Sequence, residues 1–315
     1  MIKPIENKLL EIPVINILVK IGKKIKVPGL QGMSLYDLLE MYFIGIINGA
    51  LTSRAGAIAF SFFMALFPFL LFILTLIPFV PIEGFQKDFL MSLDQILPPT
   101  TSESVNLVIN DIFNNRYSGL LSFGVLTSIF LMTNGVNAIF GGFEYSYHVK
   151  VTRNMFKQFM VALGVSVVLS VLLLVTVAFT IYFEIGIDNL KANSWVENDV
   201  YWIRTGRMAF FILMIYTSVS ILYNFGVKDL KQRLFFTPGA ILTTLLTILM
   251  FYLFGVYVEK FAQYNKLYGS IGTLLILMLF VWLNAIILLL GFELNASMNR
   301  LRLKHKIEKK INRAC

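Results

Sequence analysis

Six blocks of the chain consist of Leu, Ile, Val and Phe with almost no charge: Ala55–Val80, Leu120–Phe143, Phe159–Phe183, Met208–Phe225, Phe236–Val258 and Ser270–Phe292. Each is close to the 17–25 residues that a helix needs to cross a hydrocarbon core of about 30 Å. Between them the pattern changes. Leu35, Leu38, Leu39, Tyr42, Phe43, Ile46, Ile47, Ala50 and Leu51 recur at helical spacing with Asp37, Glu40 and Asn48 between them, which predicts an amphipathic helix before the first span. Ser34 followed by Asp37 gives it a start signal of the capping-box kind. Run straight into the first span, this helix would reach about 68 Å, so a bend is expected, with an interfacial elbow near Arg54 at headgroup level and a kink at Pro68. In the first outer loop, Phe85, Phe89, Leu93 and Ile96, then Val105, Val108, Ile109, Ile112 and Phe113, predict two short helices over the outer face.

Small residues recur every fourth position at Gly45, Gly49, Ser53, Ala57, Ser61 and Ala65. Such a stripe allows close helix approach in a membrane, and packing within the chain is the expected use rather than a dimer face.

Composition agrees with the pattern: 57% of the 315 residues are hydrophobic and 14% charged, against about 25% charged in a soluble domain. The fold class is therefore all-α, a polytopic membrane protein with six transmembrane helices, an interfacial N-terminal helix and a helical outer loop. A single membrane domain over 1–315 is expected, divided into an N-terminal region (1–54), the six-helix bundle (55–298) and a basic tail (299–315). The single cysteine, Cys315, is without a partner, which excludes a disulfide framework and a thiolate metal site. No short apolar core with a small-residue cleavage site opens the chain, so no removable signal peptide is expected.

Charge then sets the orientation. The N-terminal region through Arg54, the loops 144–158 and 226–235, and the tail after Met298 hold 20 of the 27 Lys and Arg residues. Both termini are expected on the cytoplasmic side, in contact with anionic headgroups, and nothing in the pattern calls for nucleic acid. Whether the chain forms an oligomer is not legible.

The candidate chemistry is sparse. Glu293 interrupts the last apolar block, where a carboxylate is expensive and faces a partner, a bundle interior or water. The inner ends of spans one, two and six bring Arg54, Asn137, Glu144, Glu293 and Asn295 to similar depths, with Asn284 deeper. Two readings are open. In one, these residues line a substrate or ion path in which Arg54 attracts an anion and Glu293 serves as a proton site or counter-ion; in the other, Arg54 and Glu293 form a structural ion pair. Asn284 fits an interhelical hydrogen bond. Tyr264, Asn265, Tyr268 and Gly269, in the turn between spans five and six, are either interfacial aromatics in an ordinary turn or an outer gate. His148 and His305, the two histidines, read as headgroup-region residues, and no phosphate-binding Gly-rich loop is present. No metal and no cofactor is expected.

Four stretches resemble one family: Arg54-Ala-Gly-Ala-Ile-Ala-Phe-Ser-Phe-Phe-Met-Ala-Leu-Phe-Pro68; Asn137-Ala138 through Tyr147-His-Val with Thr152-Arg153; Pro238-Gly239-Ala240; and Phe261 through Gly272, leading to Gly291-Phe-Glu-Leu-Asn295. They are similar to the BrkB/YihY family of bacterial inner-membrane proteins, formerly labelled ribonuclease BN. At Glu144-Tyr145 the chain departs from the Asn-Arg of many members. The resemblance implies a six-helix cytoplasmic-membrane protein described as a transporter of unsettled substrate. The ribonuclease label conflicts with the residues, which offer neither clustered metal ligands nor a paired acid and base. The expectation is thus a membrane transporter or exporter of an anionic or amphiphilic substrate, with lipid as one case. The alternative is a structural or assembly protein of the cell envelope, and no enzyme activity is expected.

Overall fold

The computed structural model describes residues 22–26, 34–76, 88, 91, 118–146, 148–149, 153–192, 200–227, 235–261 and 270–314. The described residues form seven helices: α1 (Leu35–Asn48), α2 (Leu51–Leu76), α3 (Ser118–Glu144), α4 (Met155–Ala192), α5 (Val200–Gly226), α6 (Pro238–Phe261) and α7 (Ser270–Ala314). Five helical segments are long and apolar enough to cross a membrane, and α1 with α2 makes a sixth if that bent pair is counted as one span. Each of α2 to α7 packs on its neighbour in sequence, and α7 returns to pack on α2, so the six form a closed ring. α1 lies outside the ring against α7, where Leu38 and Met41 meet Leu294, Met298 and Leu301.

The start of α1 is the expected capping box. The Asp37 backbone N–H donates to Ser34 Oγ, and the Ser34 N–H donates to Asp37 Oδ2 at 3.0 Å. The elbow comes between α1 and α2, a bend of 61° in which Ala50 takes φ 46°, a left-handed backbone uncommon for a residue with a Cβ. α2 continues as helix through Pro68 to Leu76, so the described bend is earlier than that proline.

The elbow also bears on two expectations. Arg54 is buried, 7% exposed, inside the bundle. The small-residue stripe does not run through, because the bend breaks its four-residue register. Gly45 and Gly49 are buried, whereas Ser53 and Ala57 are exposed. Ala65 takes up close packing again, against Gly135 of α3. The two predicted outer-loop helices and the Tyr264–Gly269 turn lie outside the described residues, apart from Asp88 and Met91.

Aromatic and small residues centre the ring. Phe143 of α3 stacks on Phe292 of α7 with centroids 4.2 Å apart, and Tyr223 of α5 meets both edge-on. α6 and α7 cross at Gly239 and Gly291, where a Cβ on Gly239 would stand 2.1 Å from the Gly291 carbonyl oxygen. Only glycine permits that approach.

Candidate functional site

α2 starts just after the elbow, which aims Arg54 at the middle of α7. There Arg54 Nη2 donates to Glu293 Oε1 at 2.7 Å, and Nη1 donates to the Gly142 carbonyl of α3 at 2.9 Å. Glu293 has no exposed surface. Its second oxygen accepts from Ser146 Oγ at 2.9 Å, in the turn that follows α3. The pair anticipated between the first and last spans is therefore formed, and it joins α2, α3 and α7. Arg54 Nε is buried without an acceptor among the described residues. The guanidinium thus keeps one donor direction unused.

α1 covers this pair through its glycines. A Cβ on Gly45 would lie 2.9 Å from Glu293 Oε2, and one on Gly49 would lie 2.7 Å from Arg54 Nη2. His148 is the second residue of the covering layer. It is buried, and its ring nitrogens meet the Met41 carbonyl at 3.0 Å and Arg300 Nη1 at 3.1 Å. Burial pushes the His148 imidazole below its ordinary value, with Arg300 acting in the same direction and the Met41 carbonyl and Glu293 against it.

The remaining candidates separate from the pair. Glu144 points to the α3–α4 loop, where Oε1 accepts from the Arg153 backbone N–H at 3.1 Å, while Arg153 Nη1 donates to the Phe225 carbonyl at the end of α5. Asn295 serves the start of α6: its Oδ1 accepts from Gly239 N–H at 2.8 Å and its Nδ2 donates to Thr237 Oγ1 at 3.0 Å. Thr237 itself caps α6 by accepting from Ala240 N–H, with Pro238 at the first helical position. Asn284 donates to Phe280 of its own helix, not across helices as expected. Asn137 is partly buried, and its Oδ1 has no partner among the described residues.

Three partners escaped the sequence reading. Ser146 and His148 carry no periodic signal, since each is a single polar residue in a short loop. Tyr223 is the third: its hydroxyl donates to the Leu288 carbonyl at 2.7 Å and stands 2.5 Å from Thr243 Oγ1, which ties α5, α6 and α7 together one turn from Glu293.

The sequence matches the family model described as Virulence factor BrkB over residues 46–314, which contains Arg54, Glu293, Ser146, His148 and Gly49 but only the last three residues of α1, so Met41 and Gly45 fall outside it. The chain belongs to the BrkB family. A ribonuclease-like protein, YfkH, of Bacillus subtilis is 29% identical over 257 residues, covering 79% of this BrkB-family chain and 90% of YfkH. A UPF0761 membrane protein of Aggregatibacter aphrophilus is 23% identical over 271 residues, covering 83% of this chain and 90% of the relative. A longer UPF0761 membrane protein of Xanthomonas axonopodis pv. citri is 21% identical over 262 residues, 81% of this chain but 60% of its own length. No solved structure matches the chain.

Proposed function

We propose that this BrkB-family protein moves an anionic or amphiphilic molecule, lipid included, across the bacterial cytoplasmic membrane, with both termini in the cytoplasm. The observation that carries the reading is the buried Arg54–Glu293 pair, covered by α1 and carrying an Arg54 Nε with no acceptor among the described residues. In this scheme Glu293 is the resident anion of Arg54. An incoming phosphate or carboxylate competes for the guanidinium, and the displaced Glu293 takes a proton rather than stay charged in an apolar surround. Release of the cargo restores the pair. Gly45 and Gly49 touch both partners, so exchange requires α1 to swing at its elbow. The orientation rests on the 20 of 27 cations at the proposed inner face, which also suit anionic headgroups.

No hydrolytic step is proposed. The ribonuclease-like name belongs to YfkH, and among the described residues no three His, Cys, Asp or Glu side chains group to hold a metal ion. A structural or envelope-assembly role is favoured by one observation, the full engagement of both Glu293 oxygens across three elements.

The deciding experiment places purified protein in liposomes and follows a fluorescent anionic phospholipid between leaflets. Transport predicts movement with wild type that is lost with Glu293→Gln in a variant that still elutes as folded protein. Equal rates in protein-free, wild-type and mutant vesicles would refute lipid movement and shift weight to a soluble anionic substrate or to the structural role. Ala57→Leu, on an exposed face, serves as the tolerant control.

A further inference from the structure

α1 is fastened over the carboxylate site by a side chain that belongs to neither. The tautomer of His148 follows from its partners: Arg300 Nη1 is only a donor, so Nδ1, 3.1 Å away, must accept, and Nε2 carries the proton that it donates to the Met41 carbonyl at 3.0 Å. Both bonds at once need the neutral ring. One turn beyond Met41, a Cβ on Gly45 would stand 2.7 Å from His148 Nε2 and 2.9 Å from Glu293 Oε2, so ring and carboxylate share one notch in α1. Ser146 links them again, accepting from the His148 backbone N–H at 3.3 Å while donating to Glu293.

We infer that His148 is an acid-operated latch, whose protonation frees α1 from the Arg54–Glu293 site. A proton on Nδ1 replaces an acceptor with a donor that faces a guanidinium, which removes one hydrogen bond and sets two cations together. Among the described residues, the charged and titratable groups around the ring and carboxylate include Arg300 and Glu293 on α7, Arg54 on α2 and Tyr42 on α1. Burial and Arg300 oppose the imidazolium; Glu293 and the Met41 carbonyl favour it, and burial is the largest influence. The closed state therefore holds a neutral ring at neutral pH and loses stability as pH falls below the ordinary 6.5 of an imidazole, because a released His148 binds the proton more readily than a latched one. The latch names a regulation of the site in the transport reading and rests on that reading for its purpose. Its test reads helix position alone, so the two fail separately.

Spin labels at Ile47→Cys on α1 and Met155→Cys on α4, both exposed positions, in a Cys315→Ser background report the α1 position in nanodiscs. Between about pH 7.5 and about pH 5, the wild-type distance distribution should shift and broaden, and His148→Gln, which is neutral and keeps one donor and one acceptor, should hold the neutral-pH distribution at both. An unchanged wild-type distribution, or a His148→Gln response equal to wild type, overturns the latch. If His148→Gln fails to fold, ¹⁵N-histidine spectra of His305→Gln protein decide: a neutral, Nε2-protonated ring at about pH 7.5 is required. A protonated ring there, or the Nδ1–H tautomer, overturns the proposal.

Discussion

Removing one member of the Arg54–Glu293 pair should cost far more than removing both. The guanidinium is 7% exposed and the carboxylate 0%, so either charge left alone stays buried. Arg54→Met deprives Glu293 Oε1 of its 2.7 Å donor and leaves a desolvated carboxylate; breaking a buried pair in this way costs about 3–5 kcal/mol. Glu293→Gln keeps the shape but offers one carbonyl oxygen where the carboxylate gave two, one each to Arg54 and Ser146. Ser146 can rotate to accept from the new amide, so the loss is a charge-assisted bond and the counter-charge, about 3 kcal/mol. The double variant Arg54→Met/Glu293→Leu removes both charges and fills the space with apolar atoms. It should recover most of the loss, since replacing a buried pair with packed hydrophobic residues is often neutral or stabilising. The assay is SDS-driven unfolding in mixed micelles, followed by circular dichroism, for wild type, Arg54→Met, Glu293→Gln, Glu293→Leu and the double variant. A coupling of about 3 kcal/mol between the sites is expected. Single losses that simply add in the double variant would refute the pairing and the argument built on it.

The helix crossings make sharper demands. Gly291→Ala should destabilise by about 1–3 kcal/mol, because the new methyl would stand 1.9 Å from Thr243 Oγ1 and 2.6 Å from the Gly239 carbonyl; Gly164→Ala, with nothing within 4 Å, should be neutral or gain up to about 1 kcal/mol in helix propensity, both read by thermal unfolding in detergent. Tyr223→Phe should cost about 1 kcal/mol in the same assay by leaving the Leu288 carbonyl and Thr243 without their hydroxyl partner.

Much of this arrangement is legible in residues that repeat. Apolar blocks located the spans, because only about 20 consecutive apolar residues satisfy a bilayer, and Ser34 with Asp37 marked the start of α1 to the residue. Arg54 and Glu293 could be matched because each is costly alone at its depth and topology brings both to one end of the bundle. What repetition suggested without regard to the bend was wrong: the four-residue stripe continues in sequence through Ala50, yet the chain turns 61° there and sends Ser53 and Ala57 outward. Lone polar residues were the other blind spot. Ser146, His148 and Tyr223 acquire meaning only from what faces them, and Asn284 turned to its own helix when the expectation assigned it a neighbour.

A buried ion pair is a poor means of gaining stability, since apolar residues close the same space at no desolvation cost. Its physical advantage is that it can be exchanged: an anion or a proton alters it, whereas neither alters a Leu packed against a Leu. The surroundings of this pair suit such exchange. Among the described residues, the layer over it meets the bundle through an apolar cluster and through hydrogen bonds at His148, it bends beside a left-handed residue, and it touches the charges through glycines that offer no side chain to either. Beneath the pair, by contrast, the ring is fastened by stacked Phe143 and Phe292 and by the Gly239–Gly291 crossing. Motion should therefore divide at this level, with α1 the mobile part and α2 to α7 the fixed part. Hydrogen exchange that protected α1 as strongly as the stretch of α7 around Gly291 and Phe292 would contradict that division, and with it the exchange mechanism for Arg54.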